Sequence, residues 1–64
     1  MKISYDIEVD ALYIKLGEER PEGVTEISEG VNLDITQEGK LVGIEILEAS
    51  KKIDMKTILY HSSY

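Results

Sequence analysis

Three acids at every second position, Asp6, Glu8 and Asp10, have the spacing that opens a calcium-binding loop, in which alternating oxygens converge on one cation. The rest of such a loop is missing. Ala11 stands where the sharp-turn glycine belongs, and Gly17 where the closing bidentate glutamate belongs. A turn between strands uses acids of this kind to bond its own amides, which is the plainer reading. A second pair, Asp34 and Glu45, lies on segments expected to pair, and neighbouring carboxylates can share a proton or flank a sugar bond. Outward acids on a half-exposed sheet are far commoner, and so short a chain offers no deep scaffold to desolvate and orient the pair. His61, the single histidine, has no cysteine and no serine in an evident elbow to activate, and it cannot make a metal site alone. Asp6, Glu8, Asp10, Asp34 and Glu45 therefore stand as interaction or ligand positions. No residue is assigned as catalytic, cofactor-binding or metal-ligating, and no cofactor is expected.

These side chains are positioned by short runs of alternating apolar and polar residues, the signature of strands with one buried face. Residues 2–5 place Ile3 and Tyr5 on one face, and residues 11–16 place Leu12, Ile14 and Leu16 on one face, with residues 6–10 short enough for a hairpin turn. Residues 17–23 hold two glycines, a proline and four charges, and read as a mobile surface loop. Residues 24–28 alternate imperfectly and suit an edge. Glu29-Gly30 is a tight turn, followed by a strand with Val31, Leu33 and Ile35 inward and Asn32 and Asp34 outward. After the turn at residues 36–40, the strand at 41–47 puts Val42, Ile44 and Ile46 on one face and Leu41 and Leu47 on the other. Apolar residues on both faces suggest a central strand. Gly43 within it marks a bulge or a close approach of another backbone.

Beyond Ser50 the period changes. Asp54 suits a helix N-cap whose carboxylate accepts the first amides, and Met55, Ile58 and Leu59 share one helical face. Residues 57–60 also read as a sixth strand because they are β-branched and aromatic, but the helix is preferred. The expected fold is α+β: a small antiparallel β-sheet of about five strands in meander-like hairpins, with a short C-terminal helix packed on one face. Residues 1–64 form a single domain, with 49–64 its helix or tail. Tyr5, Tyr13, Tyr60 and Tyr64 offer interface rings, although Tyr5 and Tyr13 read more simply as a cross-strand contact. Ser62 and Ser63 read as flexible tail.

A domain of 64 residues hides only about 60% of the surface its unfolded chain exposes, and it has no cysteine to staple it. Self-association is the remaining remedy, and a homodimer is expected. The net charge of −6 opposes direct binding to nucleic acid, whose affinity rests on lysine and arginine. All thirteen acids except Asp54 lie before Ser50, against Lys2, Lys15, Arg20 and Lys40, whereas Lys51, Lys52 and Lys56 follow it. An acidic body with a mildly basic tail suits a basic protein partner or a second copy, while the plainer reading is solubility. No apolar run approaches the ~20 residues needed to cross a bilayer, and residues 1–6 lack the form of a secretory signal. A cytoplasmic protein without membrane partners is expected.

Two stretches, Tyr5-Asp6-Ile7-Glu8-Val9-Asp10-Ala11-Leu12-Tyr13-Ile14-Lys15-Leu16 and Gly39-Lys40-Leu41-Val42-Gly43-Ile44-Glu45-Ile46-Leu47-Glu48-Ala49-Ser50, together with Gly30-Val31-Asn32-Leu33-Asp34, resemble the prokaryotic family known as domain of unknown function 2283. The resemblance runs from Lys2 to about Lys52. It implies no activity and no catalytic residues. It does imply a small stand-alone protein and, since some members are encoded beside toxin-like proteins, an antitoxin-like partner of a small basic toxin. Ile7 stands where members often have proline, and the chain after Ile53 leaves the family pattern. The leading expectation is a non-enzymatic protein-interaction module. The alternatives are a self-assembling structural unit and a metal- or small-ligand-binding protein using the acidic turn residues.

Overall fold

The computed structural model describes residues 1–62. The tail assigned to Ser63 and the interface ring assigned to Tyr64 lie outside the described residues. Five strands, β1 (Lys2–Asp6), β2 (Ala11–Lys15), β3 (Gly23–Ser28), β4 (Val31–Ile35) and β5 (Leu41–Leu47), are followed by two short helices, α1 (Ala49–Lys52) and α2 (Met55–His61). The α+β class and the strand limits agree with the alternation of the sequence to within a residue. All the strands join one antiparallel sheet in the order β1-β2-β5-β4-β3. β5 is central and β3 is an edge, as expected. Three of the four strand-to-strand steps are hairpins. The fourth, residues 16–22, carries the chain across the sheet so that β5 can later enter between β2 and β4.

Register decides which residues share a face, because paired residues lie on the same side of a pleated sheet. One row runs Ile3, Ile14, Ile44, Leu33, Thr25, and the next runs Tyr5, Leu12, Ile46, Val31, Ser28. The opposite side carries the rows Lys2, Lys15, Gly43, Asp34, Val24 and Ser4, Tyr13, Glu45, Asn32, Glu26, with Asp6 beyond them. Every charged side chain within the strands, Lys2, Asp6, Lys15, Glu26, Asp34 and Glu45, is therefore on one face, and the other face carries none. Tyr5 and Tyr13 fall on opposite faces, so the cross-strand contact expected between them does not form. Between Asp34 and Ile35 the register slips, with Asp34 opposite Gly43 but Ile35 opposite Leu41, which leaves Val42 as an extra residue in β5. The bulge foreseen at Gly43 thus sits beside it, and it resets the alternation so that Leu41 stands opposite Ile35.

On the uncharged face, α1 and α2 supply a second layer. Tyr5, Leu12, Ala49 and Ile58 form the buried cluster, with Ile3, Ile46, Ile53 and Met55 packed against it. Ile58 is 2% exposed and is the largest fully buried side chain among the described residues. No side chain of β3 or β4 belongs to that cluster. Extents of 35 × 23 × 17 Å describe a slab, since the helical layer covers only the β1-β2 half of the sheet. The helix preferred for residues 55–61 forms, but Asp54 caps it without the expected carboxylate hydrogen bond; Asp54 contributes its carbonyl to the Ile58 amide at 3.1 Å. α2 is therefore held by docking Ile58 rather than by its cap, as a helix of seven residues must be. No helix among the described residues is long and apolar enough to cross a membrane.

Candidate functional site

The charged face is organised around Tyr13. Its ring lies across Gly43: a Cβ added at Gly43 would stand 1.9 Å from the Tyr13 hydroxyl oxygen and 2.4 Å from Cζ. The close approach foreseen at this glycine is therefore that of an aromatic ring, not of another backbone. So placed, the Tyr13 hydroxyl donates to Asp34 Oδ2 at 2.8 Å. Beside it Asn32 Nδ2 donates to Glu45 Oε1 at 3.2 Å. Asp34 and Glu45 flank the ring on neighbouring strands, each with its own donor, and the structure gives no hydrogen bond between them. The hydrogen bond to Asp34 is the main cause that holds the Tyr13 hydroxyl above its ordinary value, with burial and the charges of Asp34 and Glu45 adding to it. Tyr13 is accordingly a protonated donor at neutral pH. Two carboxylates oppose the phenolate that nucleophilic chemistry would need.

Next to Tyr13 an open cleft of about 480 Å³ is lined by Ser4, Asp6, Glu8, Tyr13 and Glu45 among others. Its lining brings three acidic residues, Asp6, Glu8 and Glu45, together with Tyr13, and Ile7, Ala11 and Leu12 make much of the rest apolar. That chemistry suits an ammonium or guanidinium group, which carboxylates attract by charge and an aromatic face by its quadrupole. The turn that frames the cleft is set by its own acids, since Asp6 Oδ1 accepts from the Glu8 amide at 3.0 Å. Among the described residues, no three acidic, histidine or cysteine side chains come together in a way that could hold a metal ion.

Asp10 has a different task. Its backbone is left-handed, with φ 56°, a conformation that Asp tolerates better than most residues. This turns the carboxylate toward α1, where Oδ1 accepts the Ser50 amide at 3.0 Å and Oδ2 accepts the Ser50 hydroxyl at 2.6 Å. The Tyr5 hydroxyl donates to Oδ1 at 2.6 Å, and the Asp10 carbonyl accepts the Ala49 amide at 2.9 Å. Asp10 is thus a capping group for α1 supplied from 40 residues away. Hydrogen bonds from the Ser50 hydroxyl and Tyr5, with the Ser50 amide and the charge of Lys51, hold its carboxyl below the usual range despite partial burial.

A carboxyl depressed in the folded state contributes stability above its unfolded value, near 3.8, and that contribution is lost as pH falls through the lower folded value. The stability gap between the wild type and Asp10→Asn should be widest at neutral pH and close on acidification below about pH 4. Urea melts at a series of pH values test this. A gap constant from about pH 6 to about pH 2 would show that the Asp10 charge carries none of the clasp.

The five acids singled out in the sequence therefore separate. Asp6, Glu8 and Glu45 meet at the cleft, Asp34 anchors Tyr13 beside it, and Asp10 is committed to α1. Ser50, Asn32 and the steric role of Gly43 were not singled out for these tasks. Their partners are distant in sequence, and only the strand register would have shown them. His61 ends α2, beside a small apolar recess of about 160 Å³ that Ile3 and Ile14 also line. Tyr60 is 84% exposed. A family model described as "Protein of unknown function (DUF2283)" matches residues 2–50, ending on the Ser50 of the clasp. No curated protein and no solved structure matches.

Proposed function

We propose, for a chain that belongs to the DUF2283 family of proteins of unknown function, a non-enzymatic role as a protein-interaction module that receives a basic segment of a partner on its charged sheet face. The observation that carries this reading is the cleft beside Tyr13, where Asp6, Glu8 and Glu45 line, with apolar neighbours that suit a side-chain stem, an open space large enough for a lysine or arginine side chain. The net charge of −6 draws such a partner in, and an acidic face excludes phosphate backbones by the same rule. The antitoxin-like role is one form of this reading, in which the basic segment belongs to a small toxin.

An arginine-rich peptide titrated into the protein and followed by amide NMR is the direct test. At about 0.1 M salt the shifts should centre on Ser4, Tyr13 and Glu45, and they should shrink at about 1 M, where the screening length falls to about 3 Å. Glu45→Gln should weaken binding about two- to fivefold, as expected for one part-exposed charge that Asn32 already shares. Shifts confined to β3 and the helices, or binding indifferent to salt, would remove the proposal.

A further inference from the structure

The side of the sheet that bears the helices is only partly covered over β4, β3 and β5 beyond Ile46. Val31, Leu33, Ile35 and Ile44 lie there half-buried, and Leu41, opposite Ile35, is 42% exposed. At the outer edge the bulge residue Ile27 is 59% exposed. An apolar sheet face is stable only when a second layer covers it, and here α2 reaches no further than the Ile46 end of β5. We infer that this uncharged strip is an interface on which a second copy of the chain stacks, strip against strip, about a two-fold axis.

Charge selects the occupant. The strip carries no carboxylate, so it offers a basic partner nothing to recognise, whereas a copy of the chain brings an equally uncharged surface. An isologous contact needs only a patch that is complementary to itself. The strand acids do not oppose the pairing, because register puts all of them on the far side. Stacked sheets sit about 10 Å apart, so the two acidic faces would be separated by more than the screening length of about 8 Å at physiological salt. Area sets the strength. Three strands of about five residues present a patch roughly 15 Å by 17 Å, well below the ~800 Å² per partner of a standard stable interface. The dimer therefore belongs to the class that dissociates on dilution.

Sedimentation equilibrium from about 1 μM to about 1 mM, the span over which weak specific association is resolved, tests the inference. Mass should rise toward that of a dimer with concentration, and added salt should not reverse the rise. Two variants on the strip, Thr25→Lys and Leu33→Asp, should weaken association by at least about tenfold. Thr25 is exposed on the edge strand, so its replacement should leave the circular dichroism spectrum unchanged even if Leu33→Asp perturbs folding. Glu26→Lys, the next residue but on the charged face, should associate as the wild type does. A wild type still monomeric at about 1 mM would hand the strip to a foreign protein and overturn the inference. So would a Thr25→Lys variant that dimerises undiminished. Neither result touches the basic-peptide reading, which concerns the opposite face.

Discussion

Replacing Ile58 with alanine is expected to destabilise the domain by about 2–4 kcal/mol, the range for an isoleucine whose surroundings collapse only partly around the cavity. Ile58 is 2% exposed and joins α2 to Tyr5, Leu12 and Ala49. The loss is large against the total. At about 0.05–0.15 kcal/mol per residue, a domain of this length has roughly 3–10 kcal/mol to lose. Thermal unfolding should show a midpoint lower by more than about 10 °C, because 1 kcal/mol moves a small domain by about 4–8 °C. Leu59→Ala, one residue on but 41% exposed, is the control and should cost about 1 kcal/mol or less. Equal melting of Ile58→Ala and the wild type would mean that α2 does not dock as described.

A methyl group at Gly43 should have the second largest effect. Taken alone, Gly→Ala in a strand gains about 0.5–1 kcal/mol. Against that stands a Cβ 1.9 Å from the Tyr13 oxygen, 2.4 Å from Cζ and 3.0 Å from Cε1, well inside van der Waals contact. The ring must leave, which breaks its hydrogen bond to Asp34, and overpacking of this kind costs about 1–3 kcal/mol. The sign is therefore destabilising. Two readouts separate this clash from a general loss of strand quality. The Tyr13 hydroxyl, held high by Asp34, should titrate closer to the ordinary tyrosine value in Gly43→Ala. Adding Tyr13→Ala should make the double variant less destabilised than the sum of the singles, because the second change removes the colliding atoms. Adding Tyr13→Phe should rescue little, since ring carbons collide as well as the oxygen. Strict additivity in the Tyr13→Ala cycle would refute the steric account.

Much of the sheet could be read from residue order because its signals are local. The alternation of Leu12 and Ile14, or of Leu33 and Ile35, reports a face without reference to any partner, and β5 is central as its apolar content suggested, although the bulge at Val42 returns Leu41 to the face of Ile44 and leaves Leu47 alone on the far one. What was hidden depends on pairs far apart in the chain. Nothing near Asp10 shows that its carboxylate caps a helix beginning at Ala49, so its spacing with Asp6 and Glu8 suggested a cation instead. Nothing near Gly43 shows that the space it leaves is filled by Tyr13. The Tyr5 and Tyr13 rings were expected to touch because both are aromatic and lie on neighbouring strands. Register, fixed by Tyr5 opposite Leu12 and Ser4 opposite Tyr13, sends them to opposite sides. The acids of the cleft stood out in the sequence one by one, whereas their grouping did not, because Glu45 joins Asp6 and Glu8 only through the β2-β5 pairing.

The strand that lies in the middle of the sheet is also the last of these five to leave the ribosome. Until residues 41–47 have emerged, β1-β2 and β3-β4 are two separate hairpins with no shared neighbour, and an isolated hairpin is marginal in water. Synthesis from the N-terminus therefore holds Leu12, Ile14, Leu33 and Ile35 exposed until β5 has emerged, and the sheet closes when its keystone arrives. Pairings of such long sequence separation close slowly, so the interval before closure is when the nascent chain is most open to capture by other molecules.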